Sequence, residues 1–420
     1  METKEKTKTK IEITIEHENI NLMGLVNQAE GLDKAIVKKF IYAIEEDMVK
    51  ELCGEEYERT RYQRHDHKTR ILNTSIGTLE LNLRRVRDKE TGDIFSPVAK
   101  ELKFPEGKRI CDDVSLDGIE QMPNLSYRKE VKTVKELSRS DISKSTLWRR
   151  VQNLDISAEP SGDVDVVLVD DTKIHKRSED GFHFLDLALG YNTEEEEYSL
   201  LFAGVNEEWS EIRNEIEKEV NLANAYVVCD SDREINNAFE GAKGIQICHF
   251  HAVKYVDYCL WKEDAPKNFR KKMRRILKSR LSTLQNSVKK FWRDEDTERL
   301  KNRISWFREE LDRWVERAEG RDFALAANYI RRVREKLLTF AEAALRGDYV
   351  PYTNNKVERE FRENVYRTKR IGGSWSDDGL LNVSLCQFIS RLDEGLFREF
   401  KEVYIDEAGT LNFSVSLPGG

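Results

Sequence analysis

Two aspartates in this 420-residue chain each close a short apolar run: Val164 to Val169 ends in Asp170, and Ala225 to Cys229 ends in Asp230. The carboxyl ends of strands are where open sheets hold their ligands, so the two carboxylates converge if those strands are neighbours. Close carboxylates repel unless a cation neutralises them, which makes divalent metal binding by oxygen ligands the economical chemistry. A third carboxylate is needed to hold two such ions, and Glu358 is the candidate. Two ions about 4 Å apart activate a water or a DNA 3′ hydroxyl and stabilise the leaving oxygen of a phosphodiester. Asp171 and Asp232 are close rivals, although the pleat of a continuing strand would turn Asp171 to the opposite face.

The elements that must position these groups follow from pattern. After a linker at Glu159 to Gly162, strands are expected over Val164 to Val169, Phe182 to Gly190 and Tyr198 to Gly204, then a helix from Glu207 to Val220. A strand over Ala225 to Cys229, a helix near Asp232 to Glu240 and a strand over Ile245 to Cys248 complete the order β-β-β-α-β-α-β. That is a ribonuclease H-like layout, with strands one and four side by side. From Val253 to Leu345 the pattern is helical, and Ile304, Phe307, Leu311, Trp314, Val315 and Ala318 make a stripe that reads as core. A final helix from about Asn354 to Val365 carries Glu358, followed by Arg367, Lys369 and Arg370 and then Gly372 and Gly373.

Upstream, residues 20 to 58 read as helical, and Thr69 to Arg87 alternates as a β-hairpin turning at Gly77, with Arg84, Arg85 and Arg87 at its basic far end. Two short helices are expected between Tyr127 and Asn153, joined by a turn at Ser138 to Asp141. Ser143 is the N-cap of the second, with Ile142 and Leu147 stapled across it. Lys144, Ser145, Arg149 and Arg150 on that helix suit the recognition helix of a helix-turn-helix, against the alternative of an ordinary helical hairpin.

Charge is partitioned. The chain carries 70 Lys and Arg against 78 Asp and Glu, a net of −8. Residues 59 to 110 nevertheless hold 13 basic against 7 acidic groups, and 262 to 293 hold 12 against 2, whereas 160 to 250 hold 7 against 21. Two phosphate-contacting surfaces beside a carboxylate-rich centre is the functional reading, and solvated helix faces the plainer one. No run approaches the ~20 apolar residues of a membrane span. The polar start and six scattered cysteines without a C-x-x-C pair point to a reducing, cytoplasmic setting, with nucleoid association when DNA is bound.

Several segments together resemble a known group. Val169-Asp170-Asp171-Thr172 is similar to the Asp-Gly-Thr at the first catalytic aspartate of the Mutator-like insertion-sequence transposases, a DDE group. Val228-Cys229-Asp230-Ser231-Asp232 resembles the second aspartate, Cys248-His249-Phe250-His251 the C-x-x-H signature, and Thr353-Asn354-Asn355-Lys356-Val357-Glu358-Arg359 the glutamate. The 127 residues between Asp230 and Glu358 match that group's inserted helical domain. Asp171 and Ser231 depart from the small residue and glycine usual there, which leaves the ligand within each aspartate pair open.

The resemblance implies an α/β protein: a ribonuclease H-like mixed sheet interrupted by an all-helical insertion, with an N-terminal hairpin and helix-turn-helix DNA-binding region. The expected division is a helical segment over 1–58, DNA binding over 59–153, a catalytic domain in two parts over 160–252 and 351–400, the insertion over 253–350, and a tail over 401–420. Asp170, Asp230 and Glu358 would hold Mg²⁺, or Mn²⁺ in its place, two ions per site. Cys248, His251 and Arg362 would support them, Arg362 from one helical turn beyond Glu358. Arg367, Lys369 and Arg370 would contact DNA, and Trp375 would stack on a base or pack. The partners would be double-stranded element ends and target DNA, engaged by a homodimer or larger assembly, with no membrane. Zinc at Cys248 and His251, aided by His249, Cys259 or Cys229, lacks a second spaced ligand pair. The rival functions are a transposase-derived DNA-binding protein without cleavage and a ribonuclease H-like nuclease.

Overall fold

The chain divides into two compact units, Met1–Asn153 and Leu154–Gly420. The structure is a computed structural model, and its described residues are 22–54, 60–111, 113–114, 125–152, 163–177, 180–374 and 376–392. The expected linker at Glu159 to Gly162, Trp375 and the tail over 401–420 lie outside them, as does the side chain of Arg150. No helix among the described residues is long and apolar enough to cross a membrane.

In the first unit, helix α1 (Leu22–Cys53) packs on a three-stranded antiparallel sheet of β1 (Tyr62–Thr74), β2 (Gly77–Asp88) and β3 (Ile94–Phe95). Strand β2 shows why: Leu79, Leu81 and Leu83 are buried and the residues between them exposed, so one face meets Ile41 of α1 and Val98 of α2 (Pro97–Glu101). The hairpin starts earlier than Thr69. Residues Tyr62 to Lys68 are polar and mostly exposed, so they carry no apolar alternation. Backbone pairing to Leu83 through Asp88 holds them in the sheet instead. Helices α3 (Tyr127–Ser138) and α4 (Lys144–Gln152) follow, separated by a turn that begins with Arg139 in the left-handed region. The Ser143 hydroxyl accepts the Thr146 N–H at 3.1 Å, while Ile142, Leu147 and Val134 are buried together.

The second unit is built on a five-stranded mixed sheet in the order β6-β5-β4-β7-β8, comprising β4 (Val166–His175), β5 (Phe182–Asn192), β6 (Glu197–Val205), β7 (Tyr226–Cys229) and β8 (Gly244–Ile247). Val166 to Val169 are buried on both faces, as a central strand requires. β4 pairs antiparallel with β5 and parallel with β7. Helix α5 (Trp209–Ile216) links β6 to β7, and α6 (Arg233–Ala238) links β7 to β8.

Helices α7 (His249–Lys262), α8 (Lys267–Asp294), α9 (Thr297–Glu319), α10 (Ala324–Val333) and α11 (Thr339–Leu345) follow. The stripe from Ile304 to Ala318 on α9 is buried, and its core is continuous with that of the sheet. Trp314 donates its indole N–H to the Met273 carbonyl at 3.0 Å. Residues 336 to 340 cover the outer edge of β8: Ile247 N donates to the Lys336 carbonyl, the Thr339 hydroxyl to the Ile245 carbonyl, and Phe340 N to the Gln246 side chain. An edge strand that would otherwise offer unpaired groups is thereby closed by the helical segment.

Helix α12 (Asn355–Ile371) carries Glu358 and runs six residues beyond the expected Val365. A further helix, α13 (Asp377–Leu392), was not expected from the sequence, and buries Leu380, Val383, Cys386, Phe388 and Ile389. Between them the chain rejoins the end of β4, Ser374 N donating to the His175 carbonyl at 2.9 Å. Gly373 permits this: its φ is +107°, and a Cβ there would stand 2.5 Å from that carbonyl oxygen.

Candidate metal centre

Asp170 does not end its strand, because β4 continues to His175 along β5. What ends is the parallel pairing on its other side, whose last pair is Leu168 with Val228. The same register carried two residues further sets Asp170 beside Asp230, at the point where β4 loses its parallel neighbour. Asp170 is buried at that point and Asp230 half-buried, close enough for the charge of Asp230 to act on Asp170.

Helix α12 starts beside this point. Asn354, its buried N-cap, donates its side-chain N–H to the Val169 carbonyl at 2.7 Å, tying the helix start to the residue before Asp170. The Asn354 backbone N–H points at the Cys248 sulfur, 3.4 Å away. One turn into the helix, Glu358 Oε1 lies 3.2 Å from His251 Nε2. Ligand atoms of Asp170, His251 and Glu358 all fall within 4.8 Å of one another, a group that could hold a metal ion. Cys248 and His251 therefore grip the same helix at two points, which explains their spacing at the start of α7. Burial pushes the Cys248 thiol up to about 11, against N–H groups of Asn354, His251 and Phe250.

The electrostatics are those of crowded acids. Burial, then the charges of Asp230, Asp171 and Glu358, hold the Asp170 carboxyl well above the carboxylate range. Burial also raises Asp230, opposed by the Asp232 N–H, and Arg332 opposes the rise with its charge. Asp171 is pushed up to about 6, by burial and by Asp230 and Asp232. It pairs in register with Asp186 of β5, which burial lifts to about 7 and whose carboxylate accepts the Glu207 N–H at 3.0 Å. Neither Asp171 nor Asp230 belongs to the group that Asp170 forms with His251 and Glu358. Asp232 is occupied as the N-cap of α6, accepting the Glu234 N–H at 2.7 Å.

Arg362 is exposed, its guanidinium 5.7 Å from the Tyr366 ring centre rather than at the carboxylates. Arg367 is half-buried on α12, and Lys369 and Arg370 are exposed in its last turn. In the first unit Arg84, Arg87, Lys144, Ser145 and Arg149 are exposed, whereas Arg85 is paired with Asp66 at 2.5 Å. His249 is not a metal ligand here: its Nδ1 meets the Gln285 amide at 2.8 Å and its Nε2 the Leu337 carbonyl at 3.0 Å. Burial lowers it to about 4, so the ring is neutral, accepts from Gln285 and donates to Leu337. No thiol belongs to the ligand group found among the described residues.

Two contributions have no sequence signal. Arg332 of α10 donates to the Ser231 carbonyl at 3.1 Å, bringing a cation beside Asp230 across a hundred residues of chain. A cleft of about 520 Å³ opens between α7, α8 and the start of α12, lined in part by Phe250, Lys254, Arg274, Lys278 and Asn355.

A family model described as an uncharacterised protein family (UPF0236) matches residues 15–178, which include Asp170 and Asp171 but none of Asp230, His251 and Glu358. No curated protein matches the chain.

Proposed function

We propose that the chain is a DDE transposase with a ribonuclease H-like catalytic domain, cutting DNA at the ends of its own element and joining them to target DNA. The observation that carries this reading is that α12 brings Glu358, with His251, to Asp170, just past the end of the β4–β7 pairing, where the charge of Asp230 also reaches Asp170. The sheet order supports the fold assignment: three antiparallel strands, with the first lying parallel to the fourth and the fourth to the fifth.

The donor set fits hard divalent cations. It is dominated by carboxylate oxygens, and Asp170 is driven towards protonation by burial and by the neighbouring charges of Asp230 and Asp171, a cost that a bound cation offsets. Asp170, Asp230 and Glu358 would hold Mg²⁺ or Mn²⁺, two ions per site, to supply activation of a water or 3′ hydroxyl and neutralisation of the leaving oxygen. The chain's own residues do the positioning. His251 faces Glu358 Oε1 and fixes the carboxylate's rotation, while Asn354 and Cys248 hold the helix start so that Glu358 stays level with Asp170. Arg332 offsets the negative charge at Asp230. The cations lining the cleft, with exposed Lys271, Lys272 and Arg275 on α8, suit a phosphodiester backbone.

In the first unit, the exposed bases of α4 and β2 are proposed to bind the element ends, α4 as the recognition helix of a helix-turn-helix. Two ends must be processed together, so a homodimer or larger assembly on DNA is part of the proposal. The test is cleavage and joining of labelled DNA carrying the element's own ends, with Mg²⁺ or EDTA. Metal-dependent cutting followed by joining is expected. Metal-dependent cutting of any branched or RNA-containing substrate without joining would favour the nuclease, and end binding without cutting would favour a DNA-binding derivative.

A further inference from the structure

One face of α7 runs away from the metal centre as a row of rings. His251, Tyr255, Tyr258 and Lys262 are spaced four, three and four residues apart and share that face, with Trp261 adjoining it. Tyr255, Tyr258 and Trp261 are 39%, 46% and 57% exposed. Ring centres are 5.7 Å apart from Tyr255 to Tyr258 and 6.0 Å from Tyr258 to Trp261. The inner end of the row is anchored: Tyr255 lies 4.6 Å from buried Tyr329, against which Arg332 is set, and Arg332 holds the Ser231 carbonyl beside Asp230. The helix does not need these rings for packing, since Ala252, Val256, Cys259 and Leu260 already supply its buried stripe.

We propose that this row is a stacking track for an unpaired DNA strand at the catalytic site, a proposal that rests on the function given above and specifies how its substrate is held. Charge selects the occupant. Lys254 and Lys262 are exposed along the helix, whereas its single acid, Asp257, is neutralised by Arg270 at 3.1 Å and Arg274 at 3.3 Å. Glu263, just beyond, is used to cap α10 through the Leu325 N–H at 2.6 Å. An aromatic row framed by lysines matches bases with a phosphate backbone, and base stacking on aromatic rings tolerates any sequence. Ten residues from His251 to Trp261 span ~15 Å of helix. That is room for roughly four nucleotides at 3.4 Å each. A duplex keeps its base faces stacked inside, so the track discriminates for strands opened beside the cut.

The experiment uses the full chain in EDTA, where cutting is suppressed, and reads the anisotropy of a labelled single-stranded oligonucleotide and of its duplex. Tyr258→Ala and Trp261→Ala are each expected to weaken single-strand binding about ten-fold, as loss of one stacked base does, with duplex binding unchanged. Tyr258→Phe and Trp261→Phe should retain it. Alanine variants that bind the single strand as tightly as the intact chain overturn the track. So does a change in sedimentation with single-strand binding intact, which would make the row a contact between copies. A parallel assay separates this from the catalytic reading: if Asp170→Ala cuts as well as the intact chain while the ring variants lose single-strand binding, the reading falls and the track stands. If Asp170→Ala abolishes cutting and the ring variants bind normally, the reverse holds.

Discussion

Glu358 is one of several acids on α12, and its neighbours distinguish it. Glu360, two residues on, is buried and held by Arg391 at 2.8 Å and Lys356 at 3.2 Å, so its charge is spent within the fold. Glu358 instead meets a histidine. His251→Ala should lower the single-turnover cutting rate about 10–100-fold and raise the metal concentration required, the usual cost of losing a group that orients a ligand. His251→Gln should recover part of the loss, because an amide N–H can still reach Oε1. Equal rates for the alanine variant and the intact chain would remove His251 from the site. Asp186 makes a separate prediction. Its carboxyl, raised to about 7 by burial, binds a proton in the folded state that the unfolded chain has released, so stability falls as pH rises from about 4 to about 7. Asp186→Asn keeps an acceptor for the Glu207 N–H and should flatten that slope. Metal-free protein should then gain about 4 kcal/mol at pH 8 and little at pH 4, measured by urea melts at both pH values.

Elements position these residues through a few fixed contacts, and those contacts are where single changes propagate. Asn354→Ala leaves the Val169 carbonyl buried without its partner, which costs about 1–3 kcal/mol. It should also reduce metal affinity, since the helix start is no longer pinned to β4, and calorimetry on folded protein reads both. Gly373→Ala forces a side chain into a left-handed position against the His175 carbonyl and should destabilise by more than ~1 kcal/mol. The strands that carry the carboxylates were legible because Val166 to Val169 and Tyr226 to Cys229 are unbroken apolar runs, a pattern that burial on both faces imposes. The first half of β1 was not, because its side chains face water and only backbone bonds make it a strand. Helix α13 was missed although its apolar residues recur at helical spacing. The glycine pair before it reads as an ending, whereas it is the turn that follows the basic last turn of α12 and returns the chain to β4.

At the scale of the molecule, the site joins residues far apart in the chain, Asp170 and Glu358 being 188 positions from one another. Motif order in the sequence singled out Asp170 and Glu358, which the fold brings together, but nothing local could supply the approach of Arg332 to Ser231 or of His251 to Glu358. Those depend on how α10 and α12 return to the sheet. Net charge was equally uninformative until divided, since an overall −8 hides the basic faces of β2, α4 and α8. If those faces bind phosphates, removing Arg84, Arg87 and Arg149 should reduce the slope of log affinity against log salt by about 0.9 for each phosphate no longer neutralised. Equilibrium binding to duplex DNA across a salt series would read the change, and an unaltered slope would place these residues away from the DNA.

If Asp170, Asp230 and Glu358 hold one metal centre, Mn²⁺ titration followed by electron paramagnetic resonance will register the loss of any one of them. The intact chain should bind Mn²⁺ tightly, and Asp170→Ala, Asp230→Ala and Glu358→Ala should each weaken that binding at least ten-fold while the protein stays folded by circular dichroism. Mn²⁺ binding of equal strength in all four proteins would mean that these carboxylates hold no metal.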